Sequence, residues 1–184
     1  MQPATALAQI AAMRNADPID ALMDLVADDR SRITTAYFMM DEANVELGLK
    51  QPWVSLGSDP PSTAAEGVFL TRSTHPRAYG CFARFLGHYV RERQLVPLTE
   101  AIRRLSALPC ENLGLANRGY LREGYFADVV VFDPATIQDH ATYAEPHQYA
   151  TGVRDVIVNG IPNLRDGEHI GHFSGKAVWG PGKR

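Results

Sequence analysis

The hydrophobic pattern changes once along the chain, near Gly114: helical spacing dominates before it and strand spacing after it. From Thr5 to Arg14, Leu7, Ile10 and Ala11 recur at helical spacing, which predicts a short amphipathic helix. A second helix opens at Asp17-Pro18. Asp17 can cap, Pro18 suits the first helical position, and Asp20 favours the positive end of the dipole. Ile19, Leu22, Met23 and Val26 then form one apolar stripe, so both segments are expected to be surface helices with one buried face. Ile33 to Met40 is β-rich at its start and nearly free of charge, as a strand buried on both faces should be. Asp41-Glu42-Ala43-Asn44 opens a helix to about Lys50, Pro52 stops it, and Trp53 to Leu56 reads as a second short strand ending in Gly57-Ser58-Asp59. That order predicts a parallel βαβ unit.

Residues 60–75 form a polar loop rich in Pro, Ser, Thr and Ala. A helix follows from about Arg77 to Arg93, with Phe82, Phe85, Leu86 and Tyr89 expected inside. Pro97 opens another, with Leu98, Ile102 and Leu105 on one face, and a shorter helix starts at Pro109. Beyond Gly114, Val129 to Phe132 predicts a buried strand bounded by Asp133-Pro134. Asn159-Gly160, between Val156-Ile157-Val158 and Ile161 to Leu164, is a strong hairpin signal, and Pro162 places the second arm at a sheet edge. The fold class is α/β, divided into a helix-rich part (1–113) and a β-rich part (114–184).

Composition narrows the function classes. The apolar share is 45% and the charged share 21%, as in soluble globular proteins. A formal charge of -3 gives no electrostatic footprint for nucleic acid or an anionic membrane. No apolar run approaches the ~20 residues of a membrane span, and the N-terminus carries no signal-peptide pattern. Cys81 and Cys110 form no C-x-x-C pair, so a reduced, cytoplasmic compartment is expected.

Asp59 is the most informative position. It ends an apolar segment, and in a parallel barrel the carboxyl ends of strands face the active site. A carboxylate there can bind a divalent metal and exchange a proton with bound water. Around it lie W-V-S-L-G-S-D (Trp53 to Asp59), H-P-R-A-Y-G (His75 to Gly80) and R-F-L-G-H-Y-V-R (Arg84 to Arg91). Then follow L-G-L-A-N-R-G (Leu113 to Gly119), G-Y-F-A-D-V-V-V-F-D-P (Gly124 to Pro134) and V-I-V-N-G (Val156 to Gly160). In this order the chain resembles the C-terminal portion of the D-aminoacylase (N-acyl-D-amino-acid deacylase) branch of the metal-dependent amidohydrolases.

The resemblance implies the end of a TIM-type (β/α)8 barrel, with Ile33 to Met40 as strand seven and Trp53 to Leu56 as strand eight, joined to part of a small β-sandwich. It implies that Asp59 contacts the metal and acts as general base, then acid. Arg77 would hold the carboxylate of a small-molecule N-acyl-D-amino acid, for which a planar guanidinium is suited. His75 would belong to a loop that closes over the substrate and contribute to binding it; its other reading, from its place two residues before a helix, is a cap or packing residue. His88, Arg72, Asp128 and Asp133 read as structural or solvated residues.

Such enzymes hold zinc with a His-x-His pair and further histidines. This chain has six histidines, none in His-x-His and all after Asp59. One carboxylate cannot make a tight zinc site, which takes roughly three or four protein ligands. Zinc is therefore expected in the complete enzyme, and the isolated chain is expected to bind little metal and not to hydrolyse amides. Pro60-Pro61 stands where the family commonly has glycine, which bears on substrate preference. Unpaired strand edges call for self-association or for a partner carrying the missing N-terminal part. The alternatives are a non-catalytic scaffold module derived from an amidohydrolase, or an amidohydrolase acting on a dipeptide or cyclic amide.

Overall fold

The computed structural model describes residues 6–30, 37 and 39–182. Among the described residues six α-helices come first: α1 (Leu7–Arg14), α2 (Pro18–Asp29), α3 (Glu42–Leu49), α4 (Arg77–Arg84), α5 (Leu98–Leu105) and α6 (Ala107–Asn112). A 3-10 turn spans Gly67–Thr71, and α4 runs directly into a π-helical stretch, Phe85–Glu92. The strands β1 (Val129–Phe132), β2 (Val153–Val158), β3 (Ile161–Arg165) and β4 (Glu168–His169) form one antiparallel sheet in the order β1-β2-β3-β4. Among the described residues no helix is long and apolar enough to cross a membrane.

The caps fall where the sequence places them. The Asp17 carboxylate accepts from the Ile19 N–H at 2.8 Å, and Asp41 accepts from Ala43 at 2.9 Å and Asn44 at 3.2 Å. Ala107–Asn112 begins two residues before Pro109, which sits in the first turn, where its missing N–H costs nothing. At the β2–β3 hairpin, Asn159 (φ 51°) and Gly160 (φ 82°) are both left-handed, as the tight primed turn requires. Asp128 accepts from the Asn159 N–H at 2.8 Å and pairs with Arg118, whose guanidinium also reaches Asn159 Oδ1 at 2.7 Å. Asp133 bonds Ala135 N at 2.8 Å and Thr136 Oγ1 at 3.0 Å. Both aspartates thus serve turns.

Several expectations need correction. The α2 stripe is not buried: Ile19 is 71% and Met23 66% exposed, while α1 and α2 bury Ala11 and Ala21. Periodicity shows that a face is apolar; it does not show that this chain supplies the cover. Trp53 to Leu56 forms no ladder among the described residues, because an extended segment becomes a strand only beside a partner. The other strand of the expected βαβ unit, Ile33 to Met40, lies largely outside the described residues. Val130 in β1 is exposed, so that strand buries only part of itself. Pro162 lies in β3, between β2 and β4, where the register shift at Val156/Ile157 accommodates a residue with no donor.

The core joins both halves of the chain. Leu49, Ala83, Phe85, Leu86, Tyr89, Val90, Val96, Ala101 and Ile137 cluster, and Phe132, Ala150 and Val153 pack against them. Phe82 is exposed, and the inward set shifts to Phe85–Leu86 and Tyr89–Val90. The wide π turn, marked by Arg93 N–H bonding to His88 O at 2.8 Å, moves the buried face away from simple 3.6-residue spacing. His88 contacts the Glu92 carboxylate at 3.1 Å and the Tyr89 ring at 4.9 Å, a packed helical role.

On α5 the buried side chains are Ala101 and Arg104, not Leu98 and Ile102, which are partly exposed. Arg104 is only 2% exposed; it donates to the Leu49 carbonyl and, at 2.7 Å, to Glu100 Oε1. Arg103 donates to the same carboxylate at 2.8 Å. These two guanidinium groups hold the Glu100 carboxyl at about 2, below its ordinary 4.5. As pH falls the unfolded chain takes this proton first. The stabilisation is therefore complete above pH 4.5 and is lost as pH drops from 4.5 towards about 2. Acid melts of Glu100→Gln are expected to lack this slope between those values.

Candidate functional site

Asp59 and Arg77 meet at one open edge of the molecule. Asp59 adopts φ 53°, a left-handed conformation that aspartate tolerates better than most residues, and so turns the chain at the end of the Trp53 segment. Its Oδ2 lies 2.8 Å from Arg77 Nη2. Their side chains are 82% and 46% exposed, so this is an ion pair in contact with water. Such a pair contributes roughly 0–1 kcal/mol and opens readily to a competing charged ligand.

Helix α4 carries the cationic partner. Arg77 is its first residue, and Cys81, one turn on, points its thiol at the Gly57 carbonyl 3.7 Å away. Burial pushes the Cys81 thiol up from its ordinary pKa, with Arg77 pulling the other way. One face of α4 thus lies along residues 57–59.

His75 is drawn into the same turn, with both ring nitrogens engaged. Nδ1 accepts from the Arg77 N–H at 3.1 Å, satisfying a donor at the start of α4, and Nε2 lies 2.9 Å from the Tyr143 hydroxyl. Because Nδ1 accepts, the ring proton belongs on Nε2, which donates to Tyr143. Burial, and secondly the Arg77 charge, push the His75 pKa down, which keeps the ring neutral.

The loop between Asp59 and His75 is fastened by tyrosines. Tyr79 donates to Ala64 O at 3.0 Å, and Tyr149 accepts from Ala65 N at 2.9 Å. The rings of Tyr79 and Tyr149 meet edge-on at 5.7 Å, with His147 at 5.9 Å from Tyr79. Tyr143, His147 and Tyr149 come from the segment between β1 and β2. Sequence reasoning did not single them out, and nothing local in the sequence marks them.

Two glycines of the quoted motifs explain how that segment reaches α4. A Cβ on Gly80 would lie 2.8 Å from Asp139 Cβ, and one on Gly87 would lie 2.7 Å from Ile137 O. Glycines seven residues apart on one helix face are the signal that could have revealed this close approach.

The described residues do not make a metal cage. No group of three or more His, Cys, Asp or Glu among them could hold an ion. Asp59 is a single carboxylate already facing Arg77, well short of the roughly three or four ligands that zinc takes. What the site offers from this chain is an accessible carboxylate beside an accessible guanidinium.

Residues 2–162 match the sequence pattern described as "Amidohydrolase family". The chain belongs to the amidohydrolase family. Among its relatives, a D-aminoacylase from Alcaligenes xylosoxydans xylosoxydans is 42% identical over 142 residues, 77% of this chain and 28% of the relative. A solved structure described as a D-aminoacylase that "defines a novel subset of amidohydrolases" superposes with a TM-score of 0.78 at 37% identity. The match covers 94% of this chain and 34% of that one. An N-acyl-D-glutamate deacylase from Bordetella bronchiseptica, complexed with zinc and a phosphonate mimic of the tetrahedral intermediate, gives a TM-score of 0.70 at 39% identity. Here 89% of this chain and 33% of that one are covered. This amidohydrolase chain thus spans about a third or less of these relatives' lengths.

Proposed function

We propose that this chain supplies the proton carrier and the substrate-carboxylate clamp of an N-acyl-D-amino-acid deacylase. The observation that carries the reading is the 2.8 Å pairing of Asp59 with Arg77 on an open edge. Arg77 already grips a carboxylate there, and a substrate carboxylate would compete for the same fork. Asp59, released from the pair, accepts a proton from the attacking water as the new C–O bond forms. It then returns that proton to the amine nitrogen as the C–N bond breaks. The products are a carboxylate and a free D-amino acid. His75 contributes to substrate binding from the Arg77 turn. A zinc site would draw its other ligands from outside the described residues, with Asp59 as the one contribution made here.

In this reading residues 1–113 are the closing part of a (β/α)8 barrel, with Trp53 to Leu56 as its eighth strand, and residues 114–184 are part of the small β-sandwich. The exposed apolar side chains of α2 and of Trp53 suit a chain that packs on further polypeptide, either a second copy or the remainder of the barrel. Cys81 and Cys110 are free thiols, in keeping with a reducing, cytoplasmic setting.

The test is release of free amino acid by the native gene product from an N-acetyl-D-amino acid. Hydrolysis is expected with the free acid and is expected to be far weaker with its C-terminal amide. Equal turnover of the two would remove the clamp from the account.

A further inference from the structure

The segment between β1 and β2 runs along the π-helical stretch and α4, from the far end back to the first turn of α4. Ile137 accepts from Arg91 Nη1 at 2.6 Å, and Gln138 Oε1 accepts from Arg91 Nη2 at 2.8 Å. Asp139 then meets Arg84 at 3.4 Å, against the bare Gly80. Four residues later Tyr143 reaches His75, with hydroxyl and Nε2 2.9 Å apart and the rings edge-on at 5.1 Å. The bonds therefore pass from the β-rich half through Tyr143 and His75 to the backbone N–H of Arg77.

We propose that Tyr143 is a positioning residue for the carboxylate clamp: by accepting the His75 Nε2–H it holds the turn that aims Arg77. The proposal rests on the reading of Arg77 as the group that binds the substrate carboxylate. Through these bonds Tyr143 acts on Arg77 by way of the imidazole. A neutral ring fixed at Nε2 leaves Nδ1 as the acceptor for the first N–H of α4. The direction in which the Arg77 side chain leaves the helix is then set by a residue 66 positions later in the chain. Anchoring such a turn from a second segment favours binding because less motion is lost when the ligand arrives.

The experiment is Tyr143→Phe in the native gene product, with His75→Ala and the double variant completing a cycle, and Arg77→Ala as reference. Tyr143→Phe is expected to raise KM for an N-acetyl-D-amino acid roughly five- to tenfold, the effect of one net hydrogen bond, with kcat within about twofold. It is also expected to speed hydrogen exchange at the Arg77 amide. Adding it to His75→Ala is expected to change KM no further, which a merely structural role would not produce. If Arg77→Ala raises KM and Tyr143→Phe does not, the positioning role is wrong and the clamp stands. If Arg77→Ala leaves KM unchanged, the underlying reading fails. Equal KM effects of Tyr143→Phe with and without His75 would also overturn the proposal, since Tyr143 would then act by another route.

Discussion

On the proposed reading, Asp59→Asn is expected to lower kcat for N-acyl-D-amino-acid hydrolysis by roughly a thousandfold, within the range for loss of a positioned acid–base group. Asparagine is the appropriate replacement because it keeps the size of the side chain and tolerates the left-handed φ of 53° found here. Alanine would add backbone strain of about 1 kcal/mol and so mix a folding effect into the kinetics. The amide can still accept from Arg77, so the turn persists. What is removed is an oxygen basic enough to take a proton from water. The fold should hold, since Asp59 is 82% exposed and contributes no buried contact. Steady-state kinetics alongside thermal melting check both halves: a large fall in kcat with Tm within about 2 °C is expected. Retained kcat would take Asp59 out of the chemistry.

On the same reading, Arg77→Ala is expected to raise KM for substrates with a free carboxylate by roughly thirty- to a hundredfold, the loss of about 2–3 kcal/mol of charge-assisted hydrogen bonding. The effect on kcat is expected to be small, because a carboxylate clamp would grip ground state and transition state alike. A substrate amidated at its C-terminus has no charge to lose and should show little change. Lysine at this position should restore the charge but not the two-pronged geometry, giving an intermediate KM. The Asp59–Arg77 pair does not complicate this reading, since a solvent-exposed pair costs little to open. An equal rise in KM for the amidated substrate would show that Arg77 acts on the loop and not on the carboxylate.

Local chemistry was legible in the sequence, and long-range contact was not. Asp17 and Asp41 cap their helices, and Asn159-Gly160 makes its hairpin, because each effect is decided within a few residues. The Asp59–Arg77 meeting was anticipated only as two separate roles; the turn at Asp59 and the start of α4 bring them together across eighteen positions. The exposed Ile19 and Met23 show the converse case. Their periodicity is real, but burial also depends on a partner surface that sequence periodicity does not reveal. Arg104 is buried where Leu98 or Ile102 was expected, since Glu100 and the Leu49 carbonyl satisfy its charge inside. Tyr143 was beyond reach, because its bond to His75 spans 68 positions and depends on how a β-rich segment lies along a helix.

The most direct test of the account is a double-mutant cycle on Asp59 and Arg77, read separately on kcat, KM and Tm with the native gene product. If one residue moves the proton and the other holds the substrate, Asp59→Asn falls in kcat, Arg77→Ala rises in KM, and the double variant shows both with little coupling in Tm. If the 2.8 Å pair is only a structural clasp, the two single variants will lower Tm alike, the double variant will be no worse than either, and kcat and KM will not separate.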